Sequence, residues 1–422
     1  MRLERLPRGT LSGREAFLKR ALVVAAWSGW IAIGLITPTP VAAQELITLH
    51  VKAPEFPPPE SSLPPAEIQT PSRPGAAPGL ENAPLSSPAS NPGPVWINSR
   101  PLSMADLRGQ VVLIDFWEYT CINCIRTFAG NRKWYERYHK YGFEIVGVHD
   151  PEFDIAYPVE HVRAAVKRFG LPYPVVVDDG FQIWNSYHNS TWPNRFLVDA
   201  KGYLRFDRPG EGADGAFEKA IQSLLEEAHP GVKFPASYTI STDVNAFAPS
   251  CGGPTPEMYV GDWHGRGVLA NAEGYPSGKT IEYRLPDSVE DGHAAVSGRW
   301  ETDKNGMIYR GKHKEGAAST DELKIRYHAR ESYVVMNASR GRPSRLYVKQ
   351  DGKDLTDKDK GVDVEIDPSG HSYIEVRDPR MYYLTQNPSF GSHTLDLFPT
   401  KPGLTINSFT FGNDCQTDFP HL

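Results

Sequence analysis

The chain has 422 residues, more than one ordinary domain of roughly 100–200 residues holds, so two folded units are expected. Hydrophobic residues at 40% together with 37 glycines exclude wholesale disorder. A net charge of −6 leaves no basic footprint for nucleic acid, and 4 cysteines are too few for a disulfide scaffold.

In chain order, the first feature is an apolar run, Ala21 to Ile36, behind a basic leader of Arg2, Arg5, Arg8, Arg14, Lys19 and Arg20. It closes on Val41-Ala42-Ala43, a small-residue cleavage pattern. A spanning helix wants about 20 apolar residues, so residues 1–43 read as an export signal, with an uncleaved N-terminal anchor as the alternative. The mature protein is then exported, periplasmic and acidic, in a compartment where disulfides persist. Residues 44–94 carry Pro57-Pro58-Pro59 and Pro64-Pro65 among Ser, Ala and Gly, the composition of an unpacked, semi-rigid linker.

Residues 95–230 alternate between strands and helices. Val111 to Trp117 is a continuous apolar run interrupted by one acid, Asp115, as in a strand buried on both faces. A helix is expected from about Cys121, because Ile122, Ile125 and Phe128 recur at helical spacing. Phe143 to Val148 is a second strand, Val159 to Phe169 an amphipathic helix stopped at Gly170, and Tyr173 to Val177 a third strand. Arg195 to Asp199 and Tyr203 to Asp207 flank a hairpin at Ala200-Lys201-Gly202, and Ala216 to Glu227 closes an α/β unit.

Residues 235–422 have a different texture. Leu323, Ile325, Tyr327 and Ala329 alternate with polar residues, the period of a half-buried strand. Arg345 to Lys349, Val362 to Ile366, Ser372 to Val376, Thr394 to Phe398 and Thr405 to Phe411 read alike, which suggests a β-sandwich of jelly-roll type. Cys251 and Cys415 flank its first and last strands and are expected to form a structural disulfide; two separate thiols are the alternative.

Cys121-Ile122-Asn123-Cys124 is the chemical centre. A thiol exchanges with disulfides as thiolate, and a helix start favours the anion, so Cys121 is expected to carry a lowered pKa and to attack. Cys124, one turn on, would resolve the mixed disulfide. Half of a zinc site is the competing reading, but no second Cys-x-x-Cys or Cys/His cluster supplies the other ligands, so no metal or other cofactor is expected. Asp115, desolvated in its strand, would exchange a proton with Cys124. Glu118 stands nearer the thiols, and His149, Asp150 and Glu152 follow the second strand; Glu118, His149 and Glu152 are candidates for tuning Cys121.

The run Leu113-Ile114-Asp115-Phe116-Trp117 before the cysteine motif resembles thioredoxins. The resemblance implies that Pro193 is the cis-proline opposite the cysteines, and that Trp192 and Trp117 help bind substrate. A wider set of motifs is similar to the C-terminal, thioredoxin-like (TlpA-like) region of the DipZ family. It comprises Phe116 to Thr127, Gly147-Val148-His149-Asp150-Pro151-Glu152-Phe153, Trp192-Pro193, Thr255-Pro256-Glu257-Met258-Tyr259-Val260-Gly261 and Phe409-Thr410-Phe411-Gly412. That family's second domain is similar to carbohydrate-binding β-sandwiches, so carbohydrate is an expected ligand class there. Trp263, Tyr382 and Tyr383 are aromatic enough to stack on sugars, although strand aromatics usually pack in cores. Two features depart from the family: its membrane-spanning, electron-importing domain has no counterpart in this sequence, and Ala129-Gly130 stands where a proline usually kinks the helix.

The resulting expectation is an exported thiol–disulfide oxidoreductase that reduces protein disulfides and draws electrons from a membrane thiol donor. A glycan-binding protein with an accessory redox domain is one alternative. A thiol peroxidase is another, but peroxiredoxins need Pro and Thr seven and three residues before the cysteine, where Ile114 and Glu118 stand.

Overall fold

The computed structural model describes residues 46, 51–57, 94–238, 253–262, 267–312, 320–339 and 342–412, all within one compact unit, Gln44–Leu422. The expected export signal, Cys251, Cys415 and Trp263 lie outside the described residues.

The first half is built from β1 (Val95–Ile97), β2 (Val111–Trp117), α1 (Ile122–Tyr138), β3 (Phe143–His149), α2 (Val159–Arg168), β4 (Val175–Val177), α3 (Gln182–Ser186), β5 (Asn194–Val198), β6 (Leu204–Pro209) and α4 (Asp214–Ala228). They form a mixed sheet of order β1-β4-β3-β2-β5-β6. β4, β3 and β2 run parallel, linked by α1 and α2; β1, β5 and β6 are antiparallel to their neighbours. The two-residue pleat sorts β2 between two cores. Leu113 and Trp117 face α1, α2 and α4, whereas Val112, Ile114 and Phe116 face Trp96, Trp184 and Tyr187. α1 continues through Ala129-Gly130.

Residues 51–57 differ from the expected spacer. Ala53 N–H donates to Gly202 O at 3.0 Å and Leu204 N–H to Val51 O at 2.8 Å, which pins this stretch to the β5–β6 hairpin. Phe56 is buried with its ring edge-on to Trp96 at 5.4 Å. An aromatic side chain gains more by burial than the chain loses by being held there, so the linker docks at this point.

The second half is an all-antiparallel β domain: β7 (Met258–Tyr259), β8 (Thr280–Tyr283), β9 (His293–Thr302), β10 (Met307–Tyr309), β11 (Glu322–Asn337), β12 (Ser344–Gln350), β13 (Lys353–Asp354), β14 (Glu365–Ile366), β15 (Ser372–Val376), β16 (Arg380–Pro399) and β17 (Thr405–Gly412). β11 is shared along its length. Glu322 to Arg326 pair with β9, Glu331 to Asn337 pair with β17, and β16 covers both halves. β16 starts earlier than the alternation around Thr394 indicated. Its Pro388 falls in the irregular stretch opposite Arg330, between the pairs Ala329↔Gly391 and Glu331↔Gln386, where a missing N–H breaks no ladder bond. The strand expected at Val362 to Ile366 shrinks to the exposed pair Glu365–Ile366, because Lys360 to Val364 form a bridge and turn around buried Val364.

The two halves share apolar core. Tyr333, Val335 and Met381 of the β domain pack into the cluster that holds Trp117, Cys124 and Phe128. Arg126 of α1 reaches Glu211 at 3.2 Å and, across the interface, Glu331 at 3.8 Å and the Tyr333 hydroxyl at 3.5 Å.

Candidate active site

Cys121 is the N-cap of α1, and its Sγ accepts a hydrogen bond from Cys124 N–H at 3.2 Å. It is only partly covered, whereas Cys124 is fully buried one turn in. The helix start therefore operates as expected, but its effect on Cys121 is outweighed. Burial is the largest influence and raises the Cys121 pKa; Cys124 N–H opposes it, while Glu152 and Glu257 push the same way as burial. The expectation of a lowered Cys121 pKa is thus corrected. Burial also pushes Cys124 well up, aided by Cys121 and Asp115 and opposed by the Glu118 backbone amide.

Asp115 lies beneath the cysteines with no exposure. In register it faces Gly147 on β3 and Arg195 on β5. Asn131 Nδ2 donates to its Oδ2 at 2.7 Å. Burial pushes Asp115 up to about 7, against the field of Arg195 and the Asn131 bond. Arg195, also wholly buried, is engaged by Asp214 at 2.9 Å and lies over the Phe217 ring at 4.2 Å.

Glu118 is fully buried. Its Oε2 accepts from Thr120 N–H at 2.6 Å and from the Thr120 hydroxyl, and burial pushes it up to about 7. Its Oε1 lies 3.8 Å from His149 Nε2. Burial drives His149 down to about 3, so between those two values both side chains are neutral and the contact is no ion pair. His149 is held between Trp117, edge-on at 5.0 Å, and Tyr119, stacked at 5.7 Å. Trp117 itself is wholly buried against Phe128. The strand pleat turns it into the core, so it packs rather than meeting substrate as the resemblance implied.

The Trp192–Pro193 peptide bond is cis. Trp192 is half-buried beside Trp184, with ring centroids 4.4 Å apart. Tyr382, an aromatic considered for sugar stacking, is buried with its hydroxyl donating to Asp378 O at 2.8 Å; Tyr383 packs edge-on to Tyr333 at 5.0 Å.

The sequence reading missed the β-domain side of the site. Tyr259 of β7 donates to Glu152 Oε1 at 2.6 Å, and Glu257, two residues before it, accepts from the Thr410 hydroxyl at 3.1 Å. Both residues lie in the Thr255 to Gly261 motif, whose presence in the resemblance was the available signal. Gly261 ends that motif because a Cβ there would meet the Asn305 carbonyl carbon at 2.5 Å. Among the described residues no group of three His, Cys, Asp or Glu side chains could hold a metal, and no helix is long and apolar enough to cross a membrane.

Residues 96–207 match the AhpC/TSA family and residues 255–412 match the thioredoxin like C-terminal domain. The thiol-disulfide oxidoreductase ResA of Geobacillus kaustophilus is 30% identical over 121 residues, covering 29% of this chain and 67% of that protein. A thiol-disulfide isomerase structure from Corynebacterium glutamicum is 27% identical over 31% of this chain and 90% of that one, with a TM-score of 0.29. The chain belongs to the thioredoxin-like thiol–disulfide oxidoreductase family. It is also similar to Protein DipZ of Mycobacterium bovis, at 32% identity over 324 residues, 75% of this chain. The chain spans 41% of the length of that relative.

Proposed function

We propose that this protein is an exported reductase of protein disulfides, with Cys121 as attacking thiol, Cys124 as resolving thiol and Asp115 as the proton acceptor beneath them. The observation that carries the reading is the cysteine pair itself: one sulfur partly open at a helix N-cap, the other buried a turn behind it, over a buried carboxyl. The thiols support the reducing direction. Strong oxidants stabilise their reduced form as thiolate. Here burial raises both thiols, which disfavours the thiolate and with it the reduced pair, as befits an electron donor.

The cis-Pro193 loop and half-buried Trp192 are read as the client-binding edge. Domain limits of 1–43, 44–94, 95–230 and 235–422 are retained, with residues 51–57 docked. Export rests on the Ala21 to Ala43 pattern, and a membrane thiol is the proposed electron source. For the β domain we propose a carbohydrate-binding-like sandwich of jelly-roll type, in which sugar would have to engage residues other than buried Tyr382. The AhpC/TSA match is read as shared fold, since Ile114 and Glu118 replace the peroxidase residues.

Trapping tests the reading. Cys124→Ser should accumulate mixed disulfides with exported client proteins, and Cys121→Ser should not. The reverse pattern would overturn the assignment of roles, and no trapping by either variant would overturn the function.

A further inference from the structure

Arg126 follows Cys124 by two residues on α1, and its guanidinium reaches three separate parts of the molecule. Nη1 donates to Asn123 Oδ1 at 3.3 Å, and Asn123 lies between the two cysteines. The same nitrogen meets Glu211 Oε1 at 3.2 Å. Nη2 faces the β domain, 3.8 Å from Glu331 Oε2 and 3.5 Å from the Tyr333 hydroxyl, which itself donates to Glu331. The side chains of Arg126, Glu211 and Glu331 are 10%, 6% and 7% exposed, so salt screens these contacts little.

Glu211 carries the connection to the Pro193 loop. It follows β6, and the residue before it, Gly210, donates its N–H to Pro193 O at 2.8 Å. Phe116 of β2 stands opposite Asn194 of β5, so the turn that holds Cys121 and the Pro193 loop leave the sheet at the same edge. One guanidinium therefore joins the thiol-bearing turn to the loop read above as the client-binding edge. A guanidinium suits that task because its donors are fixed in one plane, so moving one arm moves the others. β17 leaves room for it. Gly412 pairs with Glu331, and a Cβ at Gly412 would come within 2.6 Å of Arg126 Nη2 and 2.5 Å of Glu331 Oε2. The φ of Gly412 lies outside the left-handed region, so the glycine answers a close approach rather than a backbone demand.

We propose that Arg126 is a positioning residue that keeps the cysteine turn and the Pro193 loop in register, and that the β domain sets this register through Glu331, Tyr333 and Gly412. The proposal rests on the disulfide-exchange reading above and gives the β domain a part in it. A protein client meets Cys121 and the Pro193 loop together, whereas a small disulfide needs the thiol alone. Registry between the two therefore governs protein disulfides selectively.

Gly412→Ala in the full-length chain tests this, because it displaces the guanidinium and removes no charge. The displaced atoms are the ends of flexible side chains, and far-ultraviolet circular dichroism establishes that the variant folds. Deuterium exchange read by mass spectrometry should show the segment carrying Gly210 exchanging about tenfold faster, with β2 unchanged. That measurement needs no substrate, so it stands apart from the trapping experiment. kcat/KM for insulin disulfides should fall about tenfold, on the scale of losses from small misplacements, while reduction of 2-hydroxyethyl disulfide stays within about twofold of the parent. Tyr333→Phe keeps the ring packed and removes one acceptor of Arg126; it should move both readouts the same way by a smaller factor, and it decides the matter if Gly412→Ala does not fold. Unchanged exchange of the Gly210 segment in the folded variant would overturn the proposal, as would equal losses on insulin and the small disulfide.

Discussion

Replacing Asp115 by Asn should stabilise the protein, and more so as pH rises. In the native state burial holds the carboxyl at about 7 against an ordinary 3.8, a difference of about 3 units, or about 4 kcal/mol at 1.36 kcal/mol per unit. Between those values the native state keeps a proton that the unfolded chain has released. Wild-type stability therefore falls as pH climbs from about 4 to about 7, then levels off. Asparagine cannot ionise, so the variant escapes that loss, and it retains a polar partner for Asn131 Nδ2, which now lies 2.7 Å from Asp115 Oδ2. Urea melts of both reduced proteins at a series of pH values, followed by tryptophan fluorescence, give the comparison. The gap should be near zero at pH 4 and approach, as an upper figure, 4 kcal/mol above pH 7. A gap that does not widen with pH would refute the claim that Asp115 is held protonated.

Further expectations follow from the same residues. Equilibration with glutathione should place the Cys121/Cys124 potential nearer the ~−270 mV of thioredoxin than the ~−120 mV of a strong oxidase; a value above about −150 mV would make the protein a disulfide donor. Thiol counting on unfolded, unreduced Cys121→Ser/Cys124→Ser protein should find Cys251 and Cys415 blocked, a closure contributing about 5 kcal/mol at most; labelling of either would dismiss the bridge. Arg126→Ala strands Glu211 and Glu331 in a largely buried interface and should cost about 3–5 kcal/mol; calorimetry should show the two halves melting less cooperatively, and an unaltered melt would mean Arg126 does not couple them.

How far the sequence reached depended on whether a feature was local. β2, β3 and α2 carried their signals in continuous apolar runs or helical periodicity, and the cysteine motif declared itself after a buried strand. The pKa of Cys121 was misjudged because a helix start is a local influence, while burial and the field of Glu152 and Glu257 come from chain far away. Trp117 was misplaced for a different reason: β2 is buried on both faces, so either side of its pleat meets a core, and the resemblance that suggested substrate contact did not carry that burial. β16 was read short because Pro388 interrupts the alternation; the strand absorbs it in an irregular stretch of its own, where Asn387 to Phe390 stand opposite the single residue Arg330.

The position of β17 has a consequence for how the protein is made. This strand is the last in chain order among the described residues, yet it lies between β10 and β11 and carries Ser408 and Thr410, which hold Tyr259 and Glu257 in place. Sheet order and synthesis order are thus opposed. The cysteine-bearing half can form while the chain is still emerging, but Tyr259 and Glu257 are seated only when β17 inserts, a pairing of high sequence separation and correspondingly slow closure. A nascent chain would carry its reactive pair before it carries the strand that seats Tyr259 against Glu152, so the timing of β17 insertion marks the passage from an assembling polypeptide to a finished reagent.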